Sequence, residues 1–134
     1  MAAKVLDSWA LLAFFKGEPA AQKIEEIIHR AALDRHELLM SVINWGEVYY
    51  SVMRADGQDV AEQKTREIAS LPIEIVGVHD LEMTRQAAIY KATYPISYAD
   101  AFAAALTRQR KAEFITGDSD FKRLEKEIKI HWLK

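Results

Sequence analysis

Four carboxylate side chains have the chemistry and the placement of a metal site. They are Asp7, Glu47, Asp100 and Asp118, and each lies where a predicted strand ends or on the first turns of the helix that follows. In an open α/β sheet the carboxyl ends of the strands share one crevice, where ligands bind. Carboxylates gathered there repel one another by roughly 4 kcal/mol per close pair at an effective dielectric of about 20. A hard divalent cation offsets that repulsion, so we predict a Mg²⁺- or Mn²⁺-dependent phosphodiester hydrolase.

Each of these acids also has a local structural explanation. Asp7 and Asp118 suit the N-cap of the helix that follows them, because aspartate accepts hydrogen bonds from free helix N–H groups. Ser97 and Asp100 match the S-x-x-D form of a capping box, in which Glu or Gln is preferred at the last position. Glu47 stands within a predicted helix, where exposed glutamates are common. The metal-site hypothesis therefore depends on the four acids sharing one rim of the sheet.

The residues around the acids have predicted supporting roles. Asp120 is expected to be an additional or alternative metal ligand, two positions after Asp118 in TGDSDF. Ser8 could cap the first helix and leave the preceding carboxylate free. The hydroxyl of Thr116 can orient a neighbouring carboxylate or a water molecule, and Gly117 allows close backbone approach or a left-handed turn.

Apolar runs and helical periods alternate along the whole chain. The predicted strands are 3–6, 38–40, 73–78, 114–116 and 128–132. The predicted helices are 8–16, 20–34, 42–54, 60–70, 80–91, 97–109 and 118–126. Such alternation is typical of βαβ crossovers and a mainly parallel sheet with helices on both faces. We therefore expect an α/β fold: a three-layer α/β/α sandwich with a mainly parallel central sheet of about five strands, forming a single domain over residues 1–134.

Composition narrows the class of protein. The chain has 134 residues, of which 50% are hydrophobic and 28% charged, and these values are ordinary for a soluble globular domain. The absence of cysteine excludes disulfides and thiolate metal sites. The start MAAKVLDS lacks the pattern of a secretion signal, and the apolar run 9–15 is too short to cross a bilayer. We expect a cytoplasmic protein with no membrane association.

Four segments together resemble one nuclease family. They are VLDS with Asp7, INWGEVYYS with Glu47, ISYADAFAAA with Asp100 and ITGDSDF with Asp118. In this order, and over nearly the whole chain, they resemble PIN-domain nucleases and, within that family, VapC-type toxins of toxin–antitoxin pairs. The resemblance implies a PIN-like fold and an endoribonuclease that prefers single-stranded RNA and uses Mg²⁺ or Mn²⁺. It also implies inhibition by a small antitoxin protein, and dimers are frequent in the family.

Within this hypothesis the acids have separate roles. Asp7, Asp100 and Asp118 are expected to be direct or water-mediated metal ligands, and Glu47 to hold a water molecule or a second ion. Two mild departures from the family pattern lie beside them. Trp9 follows Asp7-Ser8 where a small polar residue is more usual, and Gly117 occupies a variable position. Trp9 is expected to affect access to the cleft.

The net charge of −2 argues against binding of nucleic acid through bulk positive charge. An RNA substrate must then be held by local basic side chains and by the metal.

The predicted first helix is apolar on all sides, whereas a surface helix normally has one apolar stripe. Either the next helix covers it, or it forms part of an apolar groove for a partner helix or a second copy of the chain. The residues predicted to bind the antitoxin or to form a homodimer are Trp9, Leu12, Phe15, Trp45 and Tyr49.

Two functions of other classes stay open from the sequence. A receiver-like phosphoacceptor domain is also a small α/β protein with an acidic Mg²⁺ pocket, although the strand 73–78 ends in His79-Asp80 and not directly in aspartate. A PIN-like protein that binds a partner without catalysis is the second. Labelling by acetyl phosphate would identify the receiver, and metal-independent binding without turnover would identify the non-catalytic protein.

Overall fold

The computed structural model describes residues 2–133. Its strands are β1 Ala3–Leu6, β2 Glu37–Ser41, β3 Glu74–Val76, β4 Glu113–Thr116 and β5 Lys129–Trp132. Its α-helices are α1 Ser8–Phe15, α2 Ala21–Ala32, α3 Val42–Asp56, α4 Gln58–Ala69, α5 Leu81–Thr93 and α6 Tyr98–Gln109. A 3₁₀ helix, Ser119–Leu124, lies between β4 and β5.

The strands form one parallel sheet in the order β3-β2-β1-β4-β5. The predicted five-stranded parallel sheet is confirmed. In chain order, β2 and β3 lie on one side of β1, and β4 and β5 then lie on the other side. This reversal between β1 and β4 is a topological switch point, where the crevice at the carboxyl edge accepts ligands. Because Leu6 pairs with Ile115, the residues that follow them, Asp7 and Thr116, emerge side by side.

Alternating side chains of the central strands bury both faces of the sheet. On β1, Val5 belongs to the core cluster that includes α5 and α6, whereas Leu6 belongs to the cluster on the other face with α1 to α4. Phe114 and Ile115 on β4 divide in the same way. All four side chains are inaccessible to solvent. Successive side chains of a strand point to opposite faces of the sheet, and here both faces are buried under helices. The predicted α/β/α layering is confirmed.

Small side chains bring α6 close to its neighbours. The run Ala103, Ala104 and Ala105 is buried with at most 1% exposure, so the helix backbone packs tightly between α5 and the sheet. Ser97 caps the helix, since its Oγ accepts a hydrogen bond from the backbone N–H of Asp100 at 3.1 Å. The first turn of α6, with Asp100, is thereby fixed at the carboxyl edge of the sheet.

The structure corrects two predicted elements. The predicted helix 118–126 is the shorter 3₁₀ helix Ser119–Leu124, followed by a turn. Its buried residues Phe121 and Leu124 are three positions apart, which matches the three residues per turn of a 3₁₀ helix. The predicted strand 73–78 is reduced to Glu74–Val76 at the edge of the sheet. Within residues 2–133, no helix combines the length and apolarity needed to cross a membrane.

Candidate metal centre

Asp7 is a buried carboxylate held by two donors. It lies directly after β1 and is only 2% exposed. Its Oδ1 accepts from the backbone N–H of Ala10 at 2.9 Å, so Asp7 is the N-cap of α1, as the local alternative supposed. Its Oδ2 accepts from the hydroxyl of Thr116 at 2.5 Å. Since each carboxylate oxygen has two lone pairs, both oxygens retain an acceptor site for another group.

Thr116 connects two of the acids. Its hydroxyl donates to Asp7 and accepts from the backbone N–H of Asp118 at 3.0 Å. The side chain is completely buried, so its orientation is set by these two hydrogen bonds and not by solvent. This geometry is the one that the predicted orienting role of Thr116 requires.

We expect the Thr116→Val variant to lose both hydrogen bonds while keeping nearly the same volume. The buried carboxyl of Asp7 and the N–H of Asp118 then lose their partner, and the free energy of unfolding falls by about 1–3 kcal/mol. If the site binds a metal, affinity falls by about 10- to 100-fold, the usual effect of losing a hydrogen bond that orients a ligand. Urea unfolding and Mn²⁺ titration measure the two effects. Thr116→Ser, which keeps the hydroxyl, is the matched control and should retain most of the affinity.

Asp100, Asp118 and Asp120 form the tightest acidic group. Each offers a carboxylate oxygen, and these oxygens all lie within 4.8 Å of one another. Asp118 is also the N-cap of the 3₁₀ helix, since its Oδ1 accepts from the backbone N–H of Asp120 at 2.9 Å. Asp100 and Asp118 are partly buried, whereas Asp120 is exposed. Asp7 and Glu47 lie outside this group of three. Asp7 interacts electrostatically with Asp100 and Asp118, and Glu47 interacts with Asp100.

Glu47 is fixed from two sides. Its Oε1 accepts from the hydroxyl of Ser8 at 3.0 Å and from the side-chain amide of Asn44 at 2.8 Å. The prediction that Ser8 could cap the first helix and leave Asp7 free is wrong, because Asp7 itself is the N-cap of α1. The hydroxyl of Ser8 donates to Glu47 instead. The charge of Glu47 is among those that raise the pKa of Asp100, so these two carboxylates interact electrostatically.

Asn44 supports the candidate site through Glu47, and this role was not predicted from the sequence. Its side chain is completely buried, and its Oδ1 has no hydrogen-bond partner among the described residues. The signal was present, because Asn44 precedes Glu47 by three residues on α3 and such residues share a helix face. A polar side chain on an apolar stripe, next to a candidate ligand, indicates a supporting role.

The Asn44→Ala variant should release Glu47 without unfolding the protein. The cost in stability is expected to be small, because the variant also removes a buried oxygen that has no partner. If Glu47 takes part in metal-dependent cleavage, the rate falls by about 10- to 100-fold. RNA cleavage and thermal unfolding of Asn44→Ala and Ser8→Ala, measured side by side, test this. Full activity in both variants would show that the orientation of Glu47 has no importance.

Burial and mutual repulsion disfavour the ionisation of Asp7 and Asp100. Burial raises the pKa of Asp7 to about 7, against the hydrogen bonds from Thr116 and Ala10, and the charges of Asp100 and Asp118 add to the rise. The pKa of Asp100 is also raised to about 7, by burial first and then by the charges of Asp118 and Glu47. The four acids predicted from the sequence therefore share one electrostatic environment.

No basic side chain of residues 2–133 forms an ion pair with Asp7, Glu47, Asp100 or Asp118; Arg123 reaches only Asp120, at 3.9 Å. The donor set consists of carboxylate oxygens, which are the ligands that Mg²⁺ and Mn²⁺ prefer, and it contains no thiolate or imidazole. The residues present thus fit a hard divalent cation.

The side chains predicted to bind a partner lie on α1 and along α3. Trp9, Leu12, Phe15, Trp45 and Tyr49 are all partly buried and pack against the cluster shared by α1 to α4. The rings of Trp45 and Tyr49 stack with their centroids 5.8 Å apart. Leu12 and Phe15 line a small cavity of about 90 Å³. Partner binding at these residues stays a prediction.

Residues 4–127 of the chain match the PIN domain family. The chain belongs to this family. The family assignment gives no support to the receiver-like alternative, and β3, the strand on which that alternative depended, lies at the edge of the sheet.

Several solved structures share the fold. The chain is similar to the DNA-bound VapBC of Salmonella typhimurium, with a TM-score of 0.78 and 15% identity over 100% of both chains. It is similar to a toxin–antitoxin complex from Klebsiella pneumoniae, with a TM-score of 0.70 and 19% identity over 98% of both chains. It is also similar to the sarcin-ricin loop cleaving toxin VapC20 of Mycobacterium tuberculosis, with a TM-score of 0.67 and 17% identity over 91% of this chain and 94% of that one. A comparison with curated protein sequences gives no match.

Proposed function

We propose that this chain is a Mg²⁺- or Mn²⁺-dependent endoribonuclease and the toxin of a toxin–antitoxin pair. The observation that carries the proposal is the crevice between β1 and β4, where partly or wholly buried carboxylates interact without a neutralising base among the described residues. Such a site is unfavourable on its own and favourable with a divalent cation. The PIN domain family, to which the chain belongs, contains nucleases, and this supports RNA cleavage as the reaction.

The carboxylates divide the work of holding the metal. Asp100 and Asp118 would be the principal ligands, Asp7 a direct or water-mediated ligand, and Asp120 an additional one. A bound divalent cation supplies Lewis-acid polarisation of the phosphoryl oxygen and makes a water molecule more acidic. Asp7 and Asp100 must lose their protons before they can act as ligands, and their raised pKa places this event near neutral pH.

Two side chains prepare Glu47 for its task. Asn44 and Ser8 both donate to Oε1 and fix the side chain at the crevice. A carboxylate held in this way can orient the attacking water molecule or hold a second ion. Its position is set before the substrate arrives, so no free energy is spent on ordering it during the reaction.

Basic side chains beside the acids would hold the RNA backbone. Lys122 and Arg123 are exposed on the 3₁₀ helix that begins directly after Asp118. Contacts from lysine and arginine to phosphate oxygens position a nucleic acid without reading its sequence. Local charge of this kind suits a protein whose net charge of −2 gives no general attraction to RNA.

The expected partners are a small antitoxin protein and a second copy of the chain. The similar structures from Klebsiella pneumoniae and Salmonella typhimurium are a toxin–antitoxin complex and a DNA-bound VapBC, which supports an antitoxin here. The apolar side chains of α1 and α3 predicted to bind a partner are of the kind that bind the apolar face of a partner helix. The cytoplasm, where RNA is accessible, is the expected place of action.

The experiment that tests the proposed function is incubation of the partner-free protein with total RNA and Mg²⁺ or Mn²⁺. We expect internal cuts, mapped by sequencing of the new ends, that disappear with a chelator. Cleavage that persists in chelator, or none in either metal, would contradict the proposal. Binding of RNA without turnover would favour the non-catalytic alternative.

The partners are tested in cells and in solution. Expression of the chain should stop growth, and a small co-expressed protein should restore it. If the surface is the one predicted, the double change Leu12→Ser and Phe15→Ser weakens that rescue, while the change Lys126→Ser on the 3₁₀ side does not. Light scattering should give twice the mass of one chain for a homodimer.

A further inference from the structure

Trp9 and Gly117 are in unusually close contact. A methyl group placed on Gly117 would lie 2.3 Å from Cη2, 2.5 Å from Cζ3 and 2.6 Å from Cζ2 of Trp9. These distances are far shorter than any van der Waals contact. The far edge of the indole therefore fills the space that a side chain at position 117 would occupy. Gly117 does not have a positive φ, so glycine is required here by the indole and not by the backbone conformation.

The contact lies at the centre of the candidate site. Gly117 is buried and joins Thr116, whose hydroxyl binds Asp7, to Asp118. Trp9 is two residues after Asp7 on the first turn of α1. The indole consequently packs on the backbone that carries Asp118, from the helix that Asp7 caps. Protein interiors are packed too densely for such a contact to be moved without moving its neighbours.

We propose that Trp9 is a positioning residue, which acts through Gly117 to fix the carboxylate of Asp118 relative to those of Asp7 and Asp100. The inference rests on the proposed function, because the purpose of this fixed geometry is to hold a divalent cation. A rigid aromatic side chain is suited to the task, since it has only two side-chain torsions and a large contact area. Gly117 is its complement, and the two residues function as a pair.

The test is a double-mutant cycle with Trp9→Ala and Gly117→Ala. In the presence of the native Trp9, Gly117→Ala should raise the Mn²⁺ dissociation constant about tenfold, as the loss of a ligand-orienting contact usually does. It should also accelerate hydrogen exchange at the amide of Asp118, which donates to Thr116. In the Trp9→Ala background the added methyl group has room, so Gly117→Ala should change neither quantity. An equal effect of Gly117→Ala in both backgrounds would overturn the proposal.

Two further variants keep the test decisive. Trp9→Ala alone should weaken Mn²⁺ binding, and Trp9→Phe should restore part of it; wild-type affinity in Trp9→Ala would overturn the proposal even if Gly117→Ala does not fold. Gly46→Ala is the matched control, because a methyl group there meets no atom within 4 Å beyond its chain neighbours and the backbone of its own helix. It should leave the exchange of the Asp118 amide unchanged. Folding of each variant is verified by circular dichroism.

The experiment separates this inference from the proposed function. If the wild type binds no Mn²⁺ and cleaves no RNA, the proposed function fails. The exchange rate of the Asp118 amide is measured without metal and still shows whether Trp9 and Gly117 are coupled.

Discussion

The Asp100→Asn variant is expected to cleave RNA at least about a thousandfold more slowly than the wild type, although its fold is intact. Asparagine has the same shape but offers one neutral oxygen in place of a charged carboxylate. Metal-dependent stabilisation of the transition state is worth several kcal/mol, and each 1.36 kcal/mol corresponds to a factor of about ten in rate. Initial rates with a labelled RNA at saturating Mg²⁺ measure the loss.

The same variant should be more stable than the wild type when no metal is present. The pKa of Asp100 is raised from 3.8 to about 7, so at about pH 8 the folded wild type carries a charge that burial and neighbouring carboxylates disfavour. Asparagine removes that charge. Urea unfolding in chelator at about pH 8 should therefore show a higher midpoint for Asp100→Asn than for the wild type. A gain of stability together with a loss of activity would not be expected for an aspartate with only a structural role.

Asp80→Asn is the matched control for both measurements. Asp80 caps α5 and accepts from Gln109 at the far end of α6, at the opposite end of that helix from Asp100. Asparagine caps helices as well as aspartate does, so activity should be unchanged. Retention of activity in Asp100→Asn, or an equal loss in Asp80→Asn, would contradict the assignment of Asp100 to the site.

The second large effect expected is stabilisation by divalent cations that depends on pH. The pKa of both Asp7 and Asp100 is about 7 in the folded protein, above the ordinary value of 3.8. Between these values the folded state retains protons that the unfolded state has lost. Their contribution to stability is complete below about pH 4 and is lost as the pH rises through about 7. For Asp7, which is almost wholly buried, the cost at high pH is of the order of 4 kcal/mol.

Mg²⁺ or Mn²⁺ should reverse this loss. A ligand present at about a hundred times its dissociation constant stabilises the folded state by about 2.7 kcal/mol. At about pH 8 the cation meets ionised carboxylates, whereas at about pH 5 it must displace protons from Asp7 and Asp100 and stabilises less. Calorimetric melting with and without MgCl₂, at matched ionic strength, measures the difference. Equal stabilisation at the two pH values would mean that the cation binds elsewhere.

The architecture and the acids were predictable because both depend on patterns that are local in the sequence. Strand runs such as Val5-Leu6 and Phe114-Ile115 are apolar on both faces, which is typical of a parallel sheet covered by helices. Once a parallel sheet is expected, residues that follow its strands must meet at one edge. Asp7 and Asp118 were located by this rule without knowledge of any distance.

What the sequence did not predict depends on register and side-chain direction. The hydrogen bond between Thr116 and Asp7 exists because Leu6 pairs with Ile115, and pairing register is not visible in the sequence of either strand. Asn44 was overlooked because its importance arises from burial beside Glu47, and burial is a property of the packed helices.

The contact between Trp9 and Gly117 joins residues that the sequence presented as two separate departures from the family pattern. Their complementarity is visible only when α1 lies against the segment after β4. The 3₁₀ helix Ser119–Leu124 was predicted as a longer helix. A segment this short, with its two apolar residues Phe121 and Leu124 three positions apart, fits the repeat of an α-helix as well as that of a 3₁₀ helix.

Whether the acids hold a metal is best decided by a crystal structure of the partner-free protein grown with Mn²⁺, with the metal located by its anomalous scattering. We expect a peak in the crevice between β1 and β4, at about 2.0–2.3 Å from carboxylate oxygens of Asp100 and Asp118, with Asp7 and Glu47 directly or through water around it. A crevice without a peak at a concentration of Mn²⁺ that supports RNA cleavage, or a peak bound by other residues, would refute a metal centre formed by these acids.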